Sequence, residues 1–116
     1  MWQRRQEKDV TIPFEEFQKI ELKVARVLFA EKVEKSDKLL RLQIDLGTET
    51  RQLVAGIAQQ YTPESMVGCE IIVVANLESR VVFGVESQGM LLAASSPEGP
   101  VLLRPDKEVS PGTGIR

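Results

Sequence analysis

The sequence predicts an all-β protein, a five-stranded barrel with one short helix between the third and fourth strands. Several segments alternate apolar and polar residues with a period of two, as the two faces of a strand require. The apolar residues, 42% of the chain, are mostly aliphatic and rich in Val and Ile, and only 5% of the residues are aromatic. Such a mixture favours strands. A chain of 116 residues is long enough for one domain with a single core and too short for two.

The N-terminal part leads into a long first strand. Residues 1–12 are polar and aperiodic, which predicts a flexible tail ahead of a domain over 13–116. From Ile20 onward apolar residues alternate with charged ones, and the alternation slips by one position between Val24 and Ala25. A slip within a strand predicts a β-bulge, because a bulge bends a strand and small barrels need such bends to close.

Residues 38–46 give the clearest strand pattern, with apolar residues at every second position from Leu40 to Leu46. Gly47 and Thr48 then predict a turn, and residues 50–55 predict a third strand that returns beside the second as a hairpin.

The period of two ends over residues 56–66, where a short helix is expected. Thr62 is a suitable N-cap, and Pro63 follows it at the first helical position, where proline is well tolerated. Gly68 is expected to end this helix.

The remaining segments complete the barrel. Residues 71–75 form a continuous apolar run, which is typical of a strand buried on both faces. A loop or flap is expected over 78–84, a fifth strand over 87–94, a turn over 95–100 and a last short strand over 101–103. Five principal strands with a helix between the third and the fourth is the order of an OB-fold barrel.

The net charge of −2 argues against a protein that coats nucleic acid by bulk positive charge. The charge is unevenly distributed, however. Residues 19–41 contain seven basic and four acidic side chains, so this segment is positive while the rest of the chain is negative. A local basic face is therefore predicted.

Several classes of chemistry are excluded by composition. The chain has no histidine, which excludes Ser-His-Asp and Cys-His catalysis and histidine-containing zinc sites. Cys69 is the only cysteine, so an intrachain disulfide is impossible and a reducing cytoplasmic setting is expected. No nucleotide-binding glycine motif, metal-ligand cluster or membrane-length apolar run occurs. We therefore expect a soluble protein that is not an enzyme and has no cofactor and no metal.

Five stretches carry a more specific pattern: FEEFQKIELKVARV (14–27), SDKLLRLQIDLG (36–47), RQLVAGIAQQYTPESMVG (51–68), VVANLESRVVFGVESQGMLLAA (73–94) and VLLRPDKEVSPGT (101–113). In this order they resemble the tRNA-binding domain found at the C-terminus of many methionyl-tRNA synthetases and in stand-alone tRNA-binding proteins. The resemblance implies an OB-fold barrel, a homodimer, and recognition of tRNA by its shape more than by its base sequence. It also implies that any catalysis lies in another domain, the synthetase catalytic domain being a possible partner.

The resemblance also implies functional roles for particular residues. It implies roles for Lys38, for Asn76 in the Asn-Leu motif, and for Ser87, Gly89 and Met90 in the Ser-x-Gly-Met segment. Many relatives carry His-Pro ahead of the lysine, and this chain has neither residue at positions 33–36, so contacts from that loop differ from the family pattern.

The residues themselves allow two interpretations of the basic set around the first loop. Lysines there would neutralise phosphates, as OB-fold loops commonly do, or would belong to an ordinary solvated surface with interleaved acids. The candidate RNA-binding residues are Lys32, Lys35, Lys38, Arg41, Asn76, Arg80, Ser87, Gln88 and Met90.

The other candidates also have structural alternatives. The Asn76 amide would either read a base or satisfy a turn of the barrel. Arg80 would bind phosphate or stack on a base, and otherwise be a mobile surface residue. Met90 would cover a base or sugar, or fill the core.

The sequence therefore leaves two functions open. The first is non-catalytic, structure-dependent tRNA binding that raises tRNA affinity in aminoacylation. The alternative is a chaperone-like or protein-interaction module of the CsaA type, which the acidic isoelectric point of about 5.3 keeps open. For the expected homodimer, the interface candidates are residues 14–22 and 101–116, which are rich in apolar residues for terminal segments.

Overall fold

The computed structural model describes residues 10–116, so the expected tail over residues 1–12 falls outside this range except for its last three residues. The strands are β1 (Leu22–Lys32), β2 (Leu40–Asp45), β3 (Thr50–Ala55), β4 (Glu70–Val74), β5 (Arg80–Val82), β6 (Val85–Ser87), β7 (Met90–Leu91), β8 (Ala93–Ser96), β9 (Gly99–Leu102) and β10 (Gly114–Ile115). The helices are α1 (Phe14–Phe17) and α2 (Pro63–Met66). The main sheet has six strands in the order β3-β2-β1-β4-β7, with β10 added beside β1.

The expected all-β fold is confirmed, with β1, β2, β3, β4 and β7 forming a nearly closed antiparallel barrel and α2 lying between β3 and β4. This is the arrangement of an OB-fold.

The first strand is long because it pairs with two other strands of the barrel, one along each half of its length. It pairs with β4 over Leu22–Arg26 and with β2 from Arg26 to Lys32. The predicted bulge is present, but it lies between Val27 and Phe29, later than the slip in the sequence pattern. At the slip itself, the C-terminal segment hydrogen-bonds to the backbone N–H and C=O of Val24, and residues 24 and 25 are both buried.

The core fills the inside of the barrel with side chains from alternate strand positions. Its most deeply buried residues include Leu40, Leu42, Ile44, Leu53, Ile57, Met66, Ile71 and Val73. Helix α2 adds Met66 to this core. The predicted cap is confirmed, because the Thr62 hydroxyl accepts a hydrogen bond from the Ser65 amide at 3.2 Å.

Three segments differ from the expected elements. The loop predicted over 78–84 is part of a hairpin, β5–β6, that turns at Phe83 and Gly84. The single strand predicted over 87–94 is divided, because β7 stays in the barrel while β8 leaves it to pair with β9. Helix α1 was not predicted, since its four residues are too few to show a helical period.

Candidate functional site

A groove of about 320 Å³ opens beside β3, between the segment that follows this strand, the root of the β5–β6 hairpin and β7. Its walls include Val54, Gly56, Ile57, Arg80, Met90 and Pro100. In OB-folds, the surface of strands 2 and 3 and the loops that join strands 1–2 and 4–5 form the usual nucleic-acid site. The β5–β6 hairpin occupies the place of the second of these loops, so this groove is the candidate site.

The loop between β1 and β2 brings cations to one end of the groove. The Lys38 carbonyl accepts a hydrogen bond from the Ala58 amide at 3.0 Å, next to the groove wall at Gly56 and Ile57. Lys32, Lys35 and Lys38 are all exposed, and within residues 10–116 none of them has an ion-pair partner. Their ammonium groups are therefore available to an anionic ligand.

A short turn fixes the shape of this loop. The Ser36 amide donates to the Val33 carbonyl at 3.2 Å, and Val33 is buried while the residues around the tip are exposed. Lys35 lies within the turn with a φ of 69°, in the left-handed region that residues other than glycine seldom adopt. The hydrogen-bonded turn thus fixes the backbone conformation of Lys35, whose side chain is exposed.

Arg41 lies beside the groove but is held by its neighbours. Its strand position is paired with that of Val54 in the groove wall. Its guanidinium forms an ion pair with Glu31, donates to Gln52 Oε1 at 2.8 Å and lies 5.8 Å from the centre of the Phe29 ring. An arginine satisfied in this way orders the outer face of the sheet, and its remaining donor capacity is smaller than that of the loop lysines.

Ser87 connects the end of the β5–β6 hairpin to β3 inside the barrel. It is 1% exposed, and its hydroxyl accepts from the Val54 amide and donates to the Gly89 carbonyl, both at 3.0 Å. The structure thus gives Ser87 a structural role, because its side chain is buried and its proton is already donated, while the contact with RNA expected of Ser87 stays a prediction. Its role here is to hold the end of the hairpin against β3.

Gln88 continues the same connection. Its backbone amide donates to the Gln52 carbonyl at 2.7 Å, and its side-chain Oε1 accepts from the Gln52 amide at 3.0 Å. The neighbouring Gly89 has a φ of 131°, and a Cβ at this position would lie 2.9 Å from the Val74 carbonyl oxygen. The Ser-x-Gly-Met segment thus passes close to the backbone of two strands, which requires glycine.

Asn76 also makes structural hydrogen bonds. Its Oδ1 accepts from the Glu21 amide at 2.9 Å and its Nδ2 donates to the Lys19 carbonyl at 2.5 Å. Of the two roles left open by the sequence, the structure favours the satisfied turn, because the amide joins the end of β4 to the segment after α1.

Arg80 and Met90 line the groove together. Both are exposed, and Arg80 has no ion-pair partner within the described part of the chain. Of the two roles considered for Met90, the structure favours a surface position over a core position. A guanidinium beside a thioether can hold a phosphate and cover an apolar base or sugar.

Sequence reasoning missed the outer face of the sheet. Phe29, Gln43 and Gln52 lie on this face, joined by strand pairing and by a hydrogen bond from Gln43 Nε2 to Gln52 Oε1 at 3.4 Å. The alternation of apolar and polar residues in β2 places Gln43 on the face that points away from the core, so the exposure of this face could have been predicted from the sequence. Phe29 was harder to place, because the bulge that turns it outward lies immediately before it.

Two charged clusters lie away from the groove. The hydrogen bond from Arg51 lowers the pKa of the Glu49 carboxyl, and the charges of Arg51 and Lys23 act in the same direction. The hydrogen bond to Glu108 raises the pKa of Arg26, which also contacts the buried Glu70 at 3.2 Å. These clusters fasten the β2–β3 turn and the C-terminal segment.

Residues 10–116 contain no group of three or more acidic or cysteine side chains placed to hold a metal ion. In the same range, no helix is long and apolar enough to cross a membrane.

The fold and the groove define the chain as a small OB-fold domain with a groove bordered by cations. Residues 22–114 match the family described as "Putative tRNA binding domain". The match covers most of the chain, so the chain belongs to the tRNA-binding domain family, which is a family of binding domains and not of catalytic ones.

Similar proteins include both long and short chains. A methionine–tRNA ligase of Methanothrix thermoacetophila is 58% identical over 105 residues, which are 90% of this chain and 16% of the ligase. The chain thus spans about a sixth of the length of this relative. The solved structure of a MetRS-related protein of Pyrococcus horikoshii has a TM-score of 0.86 and 39% identity, over 91% of this chain and 98% of that one. The chaperone CsaA of Bacillus anthracis has a TM-score of 0.83 and 31% identity, over 92% and 100% of the two chains.

Proposed function

We propose that this chain binds tRNA without catalysing a reaction, and that it recognises the folded shape of the RNA. The observation that carries the proposal is the set of exposed lysines at the end of β1 and on the β1–β2 loop, at one end of the groove, in a domain of the tRNA-binding family.

The chemistry of the groove suits an RNA backbone. Lys32, Lys35 and Lys38 would neutralise phosphates and release condensed counterions, while Arg80 would hold a phosphate with two parallel hydrogen bonds. Few aromatic rings are available in a chain with 5% aromatic residues, so binding to long unstructured strands is disfavoured. Folded RNA contacted through backbone and 2′-hydroxyl groups is the better ligand.

The relation to methionine–tRNA ligases supports a role beside a catalytic domain. The chain covers only 16% of the ligase from Methanothrix thermoacetophila. Attached to or associated with such an enzyme, a separate RNA-binding domain would raise the affinity for tRNA by keeping it near the active site, without a catalytic group of its own.

We also infer that two copies associate through the face formed by α1 and β10. Phe14, Phe17 and Ile20 are exposed there and line a cleft that also contains Ile115. Strand β10 is paired only with β1 among the described strands, so its other edge is free to meet a second copy. Dimerisation would duplicate the basic loops, and sedimentation that shows a monomer at micromolar concentration would contradict this mechanism.

The RNA-binding proposal is tested by comparing two lysine variants. Lys38→Ala removes a cation beside the groove, whereas Lys107→Ala removes a cation that is also exposed but lies on the C-terminal segment, next to the Arg26 cluster. We expect Lys38→Ala to weaken binding of total tRNA by roughly three- to tenfold and to reduce the salt slope by about one. The affinity of Lys107→Ala should stay within about twofold of the parent, and equal losses in the two variants would contradict the assignment of the groove.

The similarity to the chaperone CsaA favours a second candidate function, binding of unfolded polypeptide in the same groove. The groove has apolar walls at Val54, Ile57 and Met90 that suit an aliphatic side chain. Peptide binding of this kind predicts little dependence on salt and little effect of Lys38→Ala, which distinguishes it from tRNA binding.

A further inference from the structure

Two loop tips share an uncommon backbone conformation. Among residues 10–116, the non-glycine residues with positive φ are Lys35, at 69°, and Phe83, at 51°. Positive φ is uncommon in any residue with a side chain and is a genuine outlier for a bulky one. Lys35 lies on the β1–β2 loop and Phe83 on the β5–β6 hairpin, the two segments that flank the groove. Backbone strain of this kind clusters at active sites, ligand clamps and switch regions.

The strain at Phe83 is little offset by packing within residues 10–116. Val82 and Val85 pair across the turn, so Phe83 and Gly84 form a two-residue hairpin connection, and both have positive φ. Asn or Gly is the preferred first residue of such a turn. The aromatic residue found here is 67% exposed, so burial of its ring in this chain offsets little of the strain.

The hairpin that carries this ring is hydrogen-bonded to β3. Besides the buried hydroxyl of Ser87, the Gln52 side chain donates to the Glu86 carbonyl at 2.8 Å. Arg80, at the root of the same hairpin, lines the groove. The hairpin that carries Phe83 at its tip is therefore anchored at its root to the groove wall, where Arg80 lies.

We infer that Phe83 stacks on an unpaired base of the bound tRNA. This inference rests on the proposed function and adds the residue and the kind of nucleotide that it contacts. A base is the planar apolar part of a polyanion, so an exposed ring on the hairpin whose root carries Arg80 matches a nucleotide with its phosphate on the cations of the groove and its base on the ring. An apolar protein surface would match the ring but not the cations that border the groove.

The test measures the affinity of total tRNA and of a fully paired RNA duplex for four variants at about 50 mM salt. Phe83→Gly removes the ring and relieves the backbone, Phe83→Asn places a residue suited to the turn, and Phe83→Trp keeps an aromatic ring. Val81→Thr is the matched control, since Val81 is 70% exposed on the same hairpin.

We expect the Gly and Asn variants to bind tRNA about 5- to 100-fold more weakly than the parent and to bind the duplex within about twofold. The Trp variant and Val81→Thr should stay within about threefold of the parent on both RNAs. The melting temperatures of the Gly and Asn variants should be no lower than that of the parent, because both residues tolerate this backbone.

Three results would overturn the inference while tRNA binding itself stands. The first is unchanged tRNA affinity in the Gly and Asn variants, and the second is an equal loss on tRNA and on the duplex. The third is a change in sedimentation without a change in tRNA affinity, which would assign the ring to a protein contact. A parent protein that binds no tRNA would instead overturn the proposed function.

Discussion

Replacement of Ser87 by alanine should weaken the closure of the barrel. The Ser87 hydroxyl is buried and makes two hydrogen bonds, to the Val54 amide and to the Gly89 carbonyl, each at 3.0 Å. In Ser87→Ala the buried Val54 N–H loses its partner, which costs about 1–3 kcal/mol, and the loss of the second hydrogen bond adds about 1 kcal/mol. We expect the free energy of unfolding to fall by about 2–4 kcal/mol, a large part of the ~5–15 kcal/mol typical of a domain.

Urea unfolding followed by circular dichroism measures this difference. The matched control is Ser95→Ala, because Ser95 is exposed in β8 and its side chain makes no hydrogen bond within residues 10–116. The control should unfold within about 0.5 kcal/mol of the parent. A Ser87→Ala protein as stable as this control would refute the view that the hydroxyl holds the hairpin to β3.

Two further predictions concern the backbone and an ion pair. Gly89→Ala should destabilise the fold by more than about 1 kcal/mol in urea, because its Cβ would lie 2.9 Å from the Val74 carbonyl oxygen at a φ of 131°. Gly114→Ala, which meets nothing within 4 Å, should cost less, and equal losses would contradict this reasoning. Glu49→Gln should lower the melting temperature at pH 7 but much less at pH 3. The carboxyl pKa is lowered in the folded state, so its stabilisation is present above the ordinary value of 4.5 and is lost as the pH falls through the folded value. A difference from the parent that stays constant with pH would argue against the role of Arg51.

The barrel could be predicted because its longer strands are recognisable from the local alternation of apolar and polar residues. Leu40, Leu42 and Ile44 alternate with polar residues, and Thr62 followed by Pro63 marks the start of α2, so neither element depends on distant contacts. The β5–β6 hairpin was not predicted. Its strands have three residues each, and its turn contains Phe83 where the usual sequence signal would be Asn or Gly.

The candidate site was predictable in part for the same reason. Lys35 and Lys38 lie on a loop between two clear strands, so their exposure followed from the pattern. The burial of Ser87 depends on β3, more than thirty residues earlier in the chain, and the two hydrogen bonds of Asn76 reach back to residues 19 and 21. A sequence pattern carries no information on such pairings, because polar residues of these types look the same whether they face a ligand or the chain itself.

The most direct test of tRNA binding through the basic loops is a titration of the protein with total tRNA over a series of salt concentrations. With about three to four phosphates neutralised per chain, the affinity should fall by about 40- to 150-fold between 50 and 200 mM salt. A single-stranded RNA of mixed sequence should compete poorly. An affinity that changes by less than about twofold over this range, or no binding at low salt, would contradict the account and favour polypeptide as the ligand of the groove.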